Sequence, residues 1–288
     1  MGDPVAFMSR HFVALTCDYE TVKRDGSVER RGTAVYSGFL LELHSVMFWV
    51  TAGHCLKDEL DAGMASGQLR ITGGGFMDYF AHEATFLHSI PYRYEPGSSY
   101  YIEQPEHGLD FALILLNDLQ VKAFAANKLI PITRGNWVHQ PHLTFDFYRM
   151  LGIPKERVIT TERPDGTLDT KVGQAMVALN RIEPDEVGDP PPDMDEGPSG
   201  AWFIGRLDPE CTIPDIAGMS GGPIYGFRRD ENGNLVYHVV ALQSRWWRKS
   251  RTIFGCSMTV FAEEVHRQLG EFIAEFGGEP HDGNEPQS

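Results

Sequence analysis

Three residues that together could perform acyl transfer stand in this chain in settings suited to the task. Ser220 sits in Asp215-Ile216-Ala217-Gly218-Met219-Ser220-Gly221-Gly222-Pro223, where flanking glycines leave its hydroxyl uncovered. Gly218 lets the backbone turn so that its own N–H and that of Ser220 can aim at one point, the place where a tetrahedral intermediate carries its oxyanion. Ser-Gly-Gly-Pro alone is equally a good turn, so a nucleophile reading needs a base and an acid to orient that base. His54 ends the apolar run Phe48-Trp49-Val50-Thr51-Ala52-Gly53-His54-Cys55, and Asp110 heads the buried-strand pattern Asp110-Phe111-Ala112-Leu113-Ile114-Leu115-Leu116. A single histidine or aspartate in such a place is ordinarily structural. Taken together, the three supply a nucleophile, a base and an orienting carboxylate.

The elements that must position these residues are strands. Short apolar segments broken by Gly, Asp or Ser about every ten residues are an all-β barrel signature. Strands are expected at 11–17, 31–41, 46–51, 68–72, 84–87 and 109–116, then at 145–152, 171–179, 224–227 and 235–244. The run Ile90 to Tyr101 holds four tyrosines and two prolines, and residues 89–107 are expected as a loop overhanging the cleft beside Asp110, either a decorated surface loop or a substrate-facing lip. Residues 119–133 should cross between halves, with a short helical turn at 123–127. The segment 183–199, with Asp185, Glu186, Asp189, Asp193, Asp195, Glu196 and three consecutive prolines, cannot bury a core and reads as an exposed loop. Apolar residues at Phe261, Val265, Leu269, Phe272 and Ile273 form one helical stripe that Gly277-Gly278 ends.

With these motifs in hand, the chain resembles the chymotrypsin/trypsin-like serine peptidase family. The resemblance rests on Thr51-Ala52-Gly53-His54-Cys55, Asp110-Phe111-Ala112-Leu113 and Gly218-Met219-Ser220-Gly221-Gly222-Pro223, in the family's order, and spans about residues 10–275. It implies an all-β fold of two six-stranded antiparallel barrels with a C-terminal helix: a leader at 1–10, a first barrel at 11–120 carrying His54 and Asp110, a second at 121–256 carrying Ser220, a helix at 257–277 and a disordered tail at 278–288. It further implies that Ser220 attacks the scissile carbonyl, that His54 takes and returns the proton, that Asp110 holds the imidazole tautomer, and that Gly218 and Ser220 form the oxyanion hole. By the same resemblance Ser244, Arg245 and Trp246 wall the specificity pocket, and Pro214 with Asp215 lies at its base. Arg245-Trp246 stands where relatives keep the pocket open with glycine, which speaks against a large side chain there; Pro214 in place of an aspartate does not support specificity for Lys or Arg. Met219 replaces the aspartate that pairs with a freshly cut N-terminus in zymogen-activated relatives. The expectation is a serine endopeptidase that needs no propeptide removal, or one whose oxyanion loop is ordered by substrate or by a protein partner. The alternative is a catalytically silent or partner-activated peptide-binding module of the same fold, and hydrolysis of esters by the same route stays open.

Composition narrows the partners. The chain has 288 residues, 42% of them hydrophobic, enough for a packed core, and a formal net charge of −15. That charge argues against nucleic acid and anionic membranes as partners, despite the short basic, aromatic run Arg245 to Arg251. No apolar run approaches the roughly 20 residues of a membrane span. The first ten residues lack a basic region followed by an apolar core, so no secretion signal is expected. Cys17, Cys55, Cys211 and Cys256 stand singly, and the strand preceding Cys55 holds no cysteine, which favours reduced thiols and a cytoplasmic location. No cofactor motif is found. His139 and His142 lack further ligands nearby, so no metal is expected; the partner expected is a protein or peptide substrate.

Overall fold

Alternating apolar and polar positions make the strands of this chain, and bends and turns set where the sheets meet. The computed structural model describes residues 4–78, 89–137, 143–187 and 201–276. The expected strand at 84–87, the tail at 278–288, His139, His142 and most of the acidic, proline-rich segment lie outside these residues.

The N-terminal half holds eight short strands: β1 (Val13–Val22), β2 (Val28–Tyr36), β3 (Phe39–Leu43), β4 (Val46–Thr51), β5 (Leu69–Asp78), β6 (Ser89–Pro91), β7 (Tyr100–Gln104) and β8 (Leu109–Leu115). They form two four-stranded antiparallel sheets, ordered β2-β1-β5-β6 and β3-β4-β8-β7, joined by a bridge between Phe12 and Phe39. Their inner faces meet where Trp49 of β4 packs 5.7 Å from Phe76 of β5, and the Trp49 indole N–H donates to the Val13 carbonyl at 2.9 Å.

Residues 89–107, expected as a loop, contain β6 and β7, and β7 pairs with β8 along its length. The prolines masked this, because they punctuate a segment that pairs as strand and turns two of its tyrosines, Tyr92 and Tyr94, inward. Tyr94 is buried, its hydroxyl donating to Asp61 at 2.9 Å, and Tyr92 lies 4.7 Å from Phe76.

In the C-terminal half, β9 (Phe147–Gly152), β12 (Ala175–Arg181), β13 (Trp202–Leu207), β14 (Pro223–Arg229), β15 (Leu235–Trp247) and β16 (Thr252–Ser257) close a six-stranded antiparallel barrel in the order β12-β13-β16-β15-β14-β9. A separate hairpin, β10 (Val158–Glu162) with β11 (Leu168–Val172), stands between β9 and β12 in sequence. Its turn Arg163-Pro164-Asp165-Gly166-Thr167 is held by the Asp165 carboxylate, which accepts from the Thr167 N–H at 3.0 Å, and Gly166 takes the left-handed conformation at φ +82°.

Among the described residues four α-helices join these sheets: α1 (Pro4–Ser9), α2 (Ala62–Ala65), α3 (Asp118–Ala126) and α4 (Met258–Phe276). Within the expected leader, α1 docks on the second half, Phe7 meeting the Tyr237 ring edge-on at 5.5 Å. In the crossing, α3 begins five residues earlier than expected. Asn117 and Gln120 form a reciprocal capping box there, and the apolar pattern alone does not register it. Expected against the second barrel, α4 also touches the first half: Phe261 packs 4.7 Å from Phe111 of β8. One hydrophobic core therefore runs through both halves, from Trp49 and Phe76 to Tyr225 and Leu242.

Candidate active site

His54 is delivered by the end of β4. The Thr51 hydroxyl donates to the Ser37 carbonyl at 2.7 Å and fixes the exit of the strand. Gly53 has to be glycine: a Cβ there would stand 2.8 Å from the Ile102 carbonyl oxygen and 2.9 Å from that of Phe111. His54 then opens a π-helical segment, Cys55–Asp61, a rare geometry that recurs at functional sites.

Asp110 is fully buried in β8. Its carboxylate accepts from the His54 backbone N–H at 3.0 Å and from His54 Nδ1 at 2.7 Å, and it takes a third hydrogen bond from the Ser244 hydroxyl. Burial alone would raise its pKa, but the bonds from His54 and Ser244 prevail and hold it below the usual carboxylate range. With Nδ1 donating to Asp110, the neutral form of His54 carries its lone pair on Nε2. Burial would lower the His54 pKa; the bond to Asp110 and the contact with Cys55 outweigh it, and the pKa is raised above 6.5. The Cys55 sulfur lies 3.6 Å from Nε2, and burial pushes this thiol up, so it is protonated at neutral pH.

Ser220 lies in a loop whose backbone donors divide into two sets. The N–H groups of Ala217, Met219, Gly221 and Gly222 are bonded to Asp215 Oδ1 and to the carbonyls of Ile216, Gln243 and Met219. Among the described residues, those of Gly218 and Ser220 have no partner. Gly218 has φ +92°, and its carbonyl accepts from Ser37 Oγ at 3.1 Å, while Ser37 Oγ accepts from the Ile153 N–H at 2.9 Å. The peptide that carries the Gly218 N–H is pinned by its other end, the Ala217 carbonyl, which accepts from the Lys155 N–H at 2.7 Å. Met219 is fully buried against Gly152 in the core of the barrel and anchors the loop from beneath.

Ser244 ties the three residues together. Its carbonyl accepts from the Ser220 hydroxyl at 3.4 Å and its own hydroxyl donates to Asp110, which holds His54. Among the described residues Ser220 and His54 share no hydrogen bond: the serine is turned to Ser244, and Nε2 faces Cys55.

The other residues expected at the specificity pocket are engaged with one another. The Trp246 indole N–H donates to Asp215 Oδ1 at 3.0 Å, and Asp215 Oδ2 lies 3.5 Å from Arg248. Arg245 lies 3.6 Å from Glu103, which also holds Lys57 at 2.7 Å. Pro214 is exposed. None of Pro214, Asp215, Ser244, Arg245 and Trp246 lines the cavity of about 800 Å3 that opens at Ser220 and Gly218. That cavity runs the other way, past Cys55, between β2 and the β10–β11 hairpin. Ser37, the contact of Cys55 with His54 and the hairpin all escape a motif reading. The one sequence signal for the hairpin is Pro164-Asp165-Gly166 between β-prone runs. Among the described residues no group of three or more His, Cys, Asp or Glu side chains is placed to hold a metal. No helix among them is long and apolar enough to cross a membrane.

No family model and no curated protein matches this chain. Among solved structures, a thermostable serine protease from an extremophilic microorganism aligns over 93% of this chain and 99% of its own, at 14% identity and a TM-score of 0.47. A protease from Arthrobacter nicotinovorans aligns over 91% and 96% at 18% identity and a TM-score of 0.44. A Glu endopeptidase aligns over 94% and 95% at 13% identity and a TM-score of 0.47.

Proposed function

We propose that this protein is a serine endopeptidase that cleaves peptide bonds through an acyl-enzyme at Ser220. The observation that carries the reading is the pair of unpartnered N–H groups at Gly218 and Ser220, beside a hydroxyl that Ser244 links to the His54–Asp110 pair. The Ser220 Oγ–H gives its proton to His54 Nε2 as its oxygen bonds the scissile carbonyl carbon, and the carbonyl oxygen takes the negative charge between the two donors. The C–N bond then breaks as Nε2 returns the proton to the leaving nitrogen. Water repeats the cycle on the ester and frees Ser220. Asp110, fully buried and triply bonded, keeps Nδ1 protonated and offsets the imidazolium charge.

Activation needs no cut N-terminus in this reading, because buried Met219 already orders the loop and offers no carboxylate to await one. Substrate binding has to turn Ser220 from Ser244 toward Nε2 and displace the Cys55 contact, a rearrangement common between apo and occupied sites. The same resting geometry favours a second reading, a module silent until a partner protein aligns the serine. The four cysteines are unpaired, which supports a reducing compartment such as the cytoplasm.

The test is to incubate the purified protein and its Ser220→Ala variant with a proteome-derived peptide mixture and to identify new termini by mass spectrometry. Cleavages that vanish in the variant are expected. Cleavage that persists in the variant, or none by folded wild type, contradicts hydrolysis at Ser220, and the second outcome turns the search to an activating partner.

A further inference from the structure

We infer that this protein selects its substrate on the leaving-group side of the scissile bond, in the cavity between β2 and the β10–β11 hairpin, and that the occupant is a peptide segment carrying an apolar side chain followed by an acidic one. The inference rests on acyl transfer at Ser220.

Direction follows from proton traffic. The departing nitrogen must receive its proton from His54 Nε2, so the leaving segment exits on the side that Nε2 faces. Cys55, 3.6 Å from Nε2, is part of the cavity wall, as are Ser220 and Gly218. The opposite side is closed by its own bonds: Trp246 to Asp215, Asp215 to Arg248, and Arg245 to Glu103. At about 800 Å3, the cavity falls in the roughly 300–1,000 Å3 range of ligand sites, room for more than one side chain.

The lining specifies the occupant. Ile153, Val158 and Leu168 on one side face Tyr36, Leu60 and Leu69 on the other, an apolar wall suited to an aliphatic or aromatic side chain. Charged side chains line it as well. Arg31 is taken by Glu20 at 3.0 Å and Glu162 at 3.9 Å. Arg30 and Lys155 also line the cavity, are exposed, and form no ion pair among the described residues. The cavity's own acids are Glu162, turned to Arg31, and Glu59, beside Tyr36. Two unpaired cations beside this apolar wall, in a protein of net charge −15, are a local exception, and they complement a carboxylate on the incoming chain.

The test uses full-length Ser220→Ala protein and fluorescent pentapeptides with free N-termini, which mimic the released segment: apolar residues first, then either Glu or Lys. Anisotropy should show the Glu peptide binding roughly fivefold more tightly, with the difference lost in an added Arg30→Ala, Lys155→Ala pair. In parallel, quenched peptide libraries on wild type should sort kcat/KM by residues after the scissile bond more than by the residue before it. Equal binding of the two peptides, no binding, or sorting by the residue before the bond overturns the inference. Fluorophosphonate labelling separates the layers. A labelled Ser220 without leaving-side preference removes this inference alone, and an unlabelled, folded protein removes the proposed reaction with it.

Discussion

In the proposed reaction the Gly218 backbone supplies a donor that no side chain could replace. Gly218 has φ +92°, its N–H is unpartnered among the described residues, it lines the same cavity as Ser220, and an added Cβ would stand 2.9 Å from the Lys155 nitrogen and 3.0 Å from the Ile153 oxygen. Gly218→Ala should therefore lower kcat by about 100-fold or more with little change in KM, as steady-state kinetics would show; unchanged kcat would mean that this donor is not used. The base makes its own prediction. His54 must be neutral to accept the Ser220 proton and its pKa is raised, so kcat/KM should climb with pH through a titration lying above 6.5. The Cys55 contact contributes to that rise, so Cys55→Ala should move this limb to lower pH, and a pH–rate profile that does not move would count against it. The candidates His54, Asp110, Ser220 and Gly218 are legible in the sequence as short motifs, and the structure adds that His54 and Asp110 are hydrogen-bonded. Ser244 was legible as a strand residue, but its hydroxyl bond to Asp110 was not, since a serine at the end of a strand looks the same whichever way its hydroxyl points.

Among the elements, sequence patterning found the strands that alternate cleanly and missed those carrying mixed signals. Residues 100–104 pair with β8 even though Pro96, Gly97 and Pro105 bracket them, and of the nearby tyrosines Tyr94 is buried and Tyr92 packs on Phe76. The β10–β11 hairpin has largely exposed strands, so no apolar face announced it, yet it forms a wall of the cavity. On the other side of Ser220 the end of β15 acts as a stopper, with the Trp246 indole hydrogen-bonded to Asp215 and packed against the barrel core. Trp246→Gly should open that side and raise kcat/KM for a large apolar residue before the scissile bond, relative to alanine, by about tenfold or more. A specificity profile indistinguishable from wild type would mean that the indole does not block the site.

Across the whole molecule, the candidate site depends on two halves held in register. Ser37 bonds Gly218 and Ile153, Ser244 bonds Asp110, and buried His11 spans from the Ile130 carbonyl at 2.9 Å to the Tyr237 hydroxyl at 2.7 Å. Burial, only partly opposed by the Ile130 bond, lowers the His11 pKa to about 4. The native state thus binds fewer protons than the unfolded chain between about pH 4 and 6.5, and stability should fall as pH drops through that window, by at most about 1.4 kcal/mol per unit from this group. His11→Asn, which keeps a donor but does not titrate, should flatten the decline in Tm across that window; an unchanged slope would assign it to other groups. The division into halves was visible from the order of the motifs. The buried cluster that joins them was not, because it is made by contacts between residues such as Phe261 and Phe111 that share no local pattern.

The central claim is that Ser220 is an activated nucleophile, and intact-mass measurement after exposure to a fluorophosphonate probe addresses it without any knowledge of substrate. The account predicts a single adduct on wild type, lost in Ser220→Ala and slowed in Asp110→Asn with the fold retained. A folded wild type that takes up no probe, or an adduct that persists in Ser220→Ala, would contradict it.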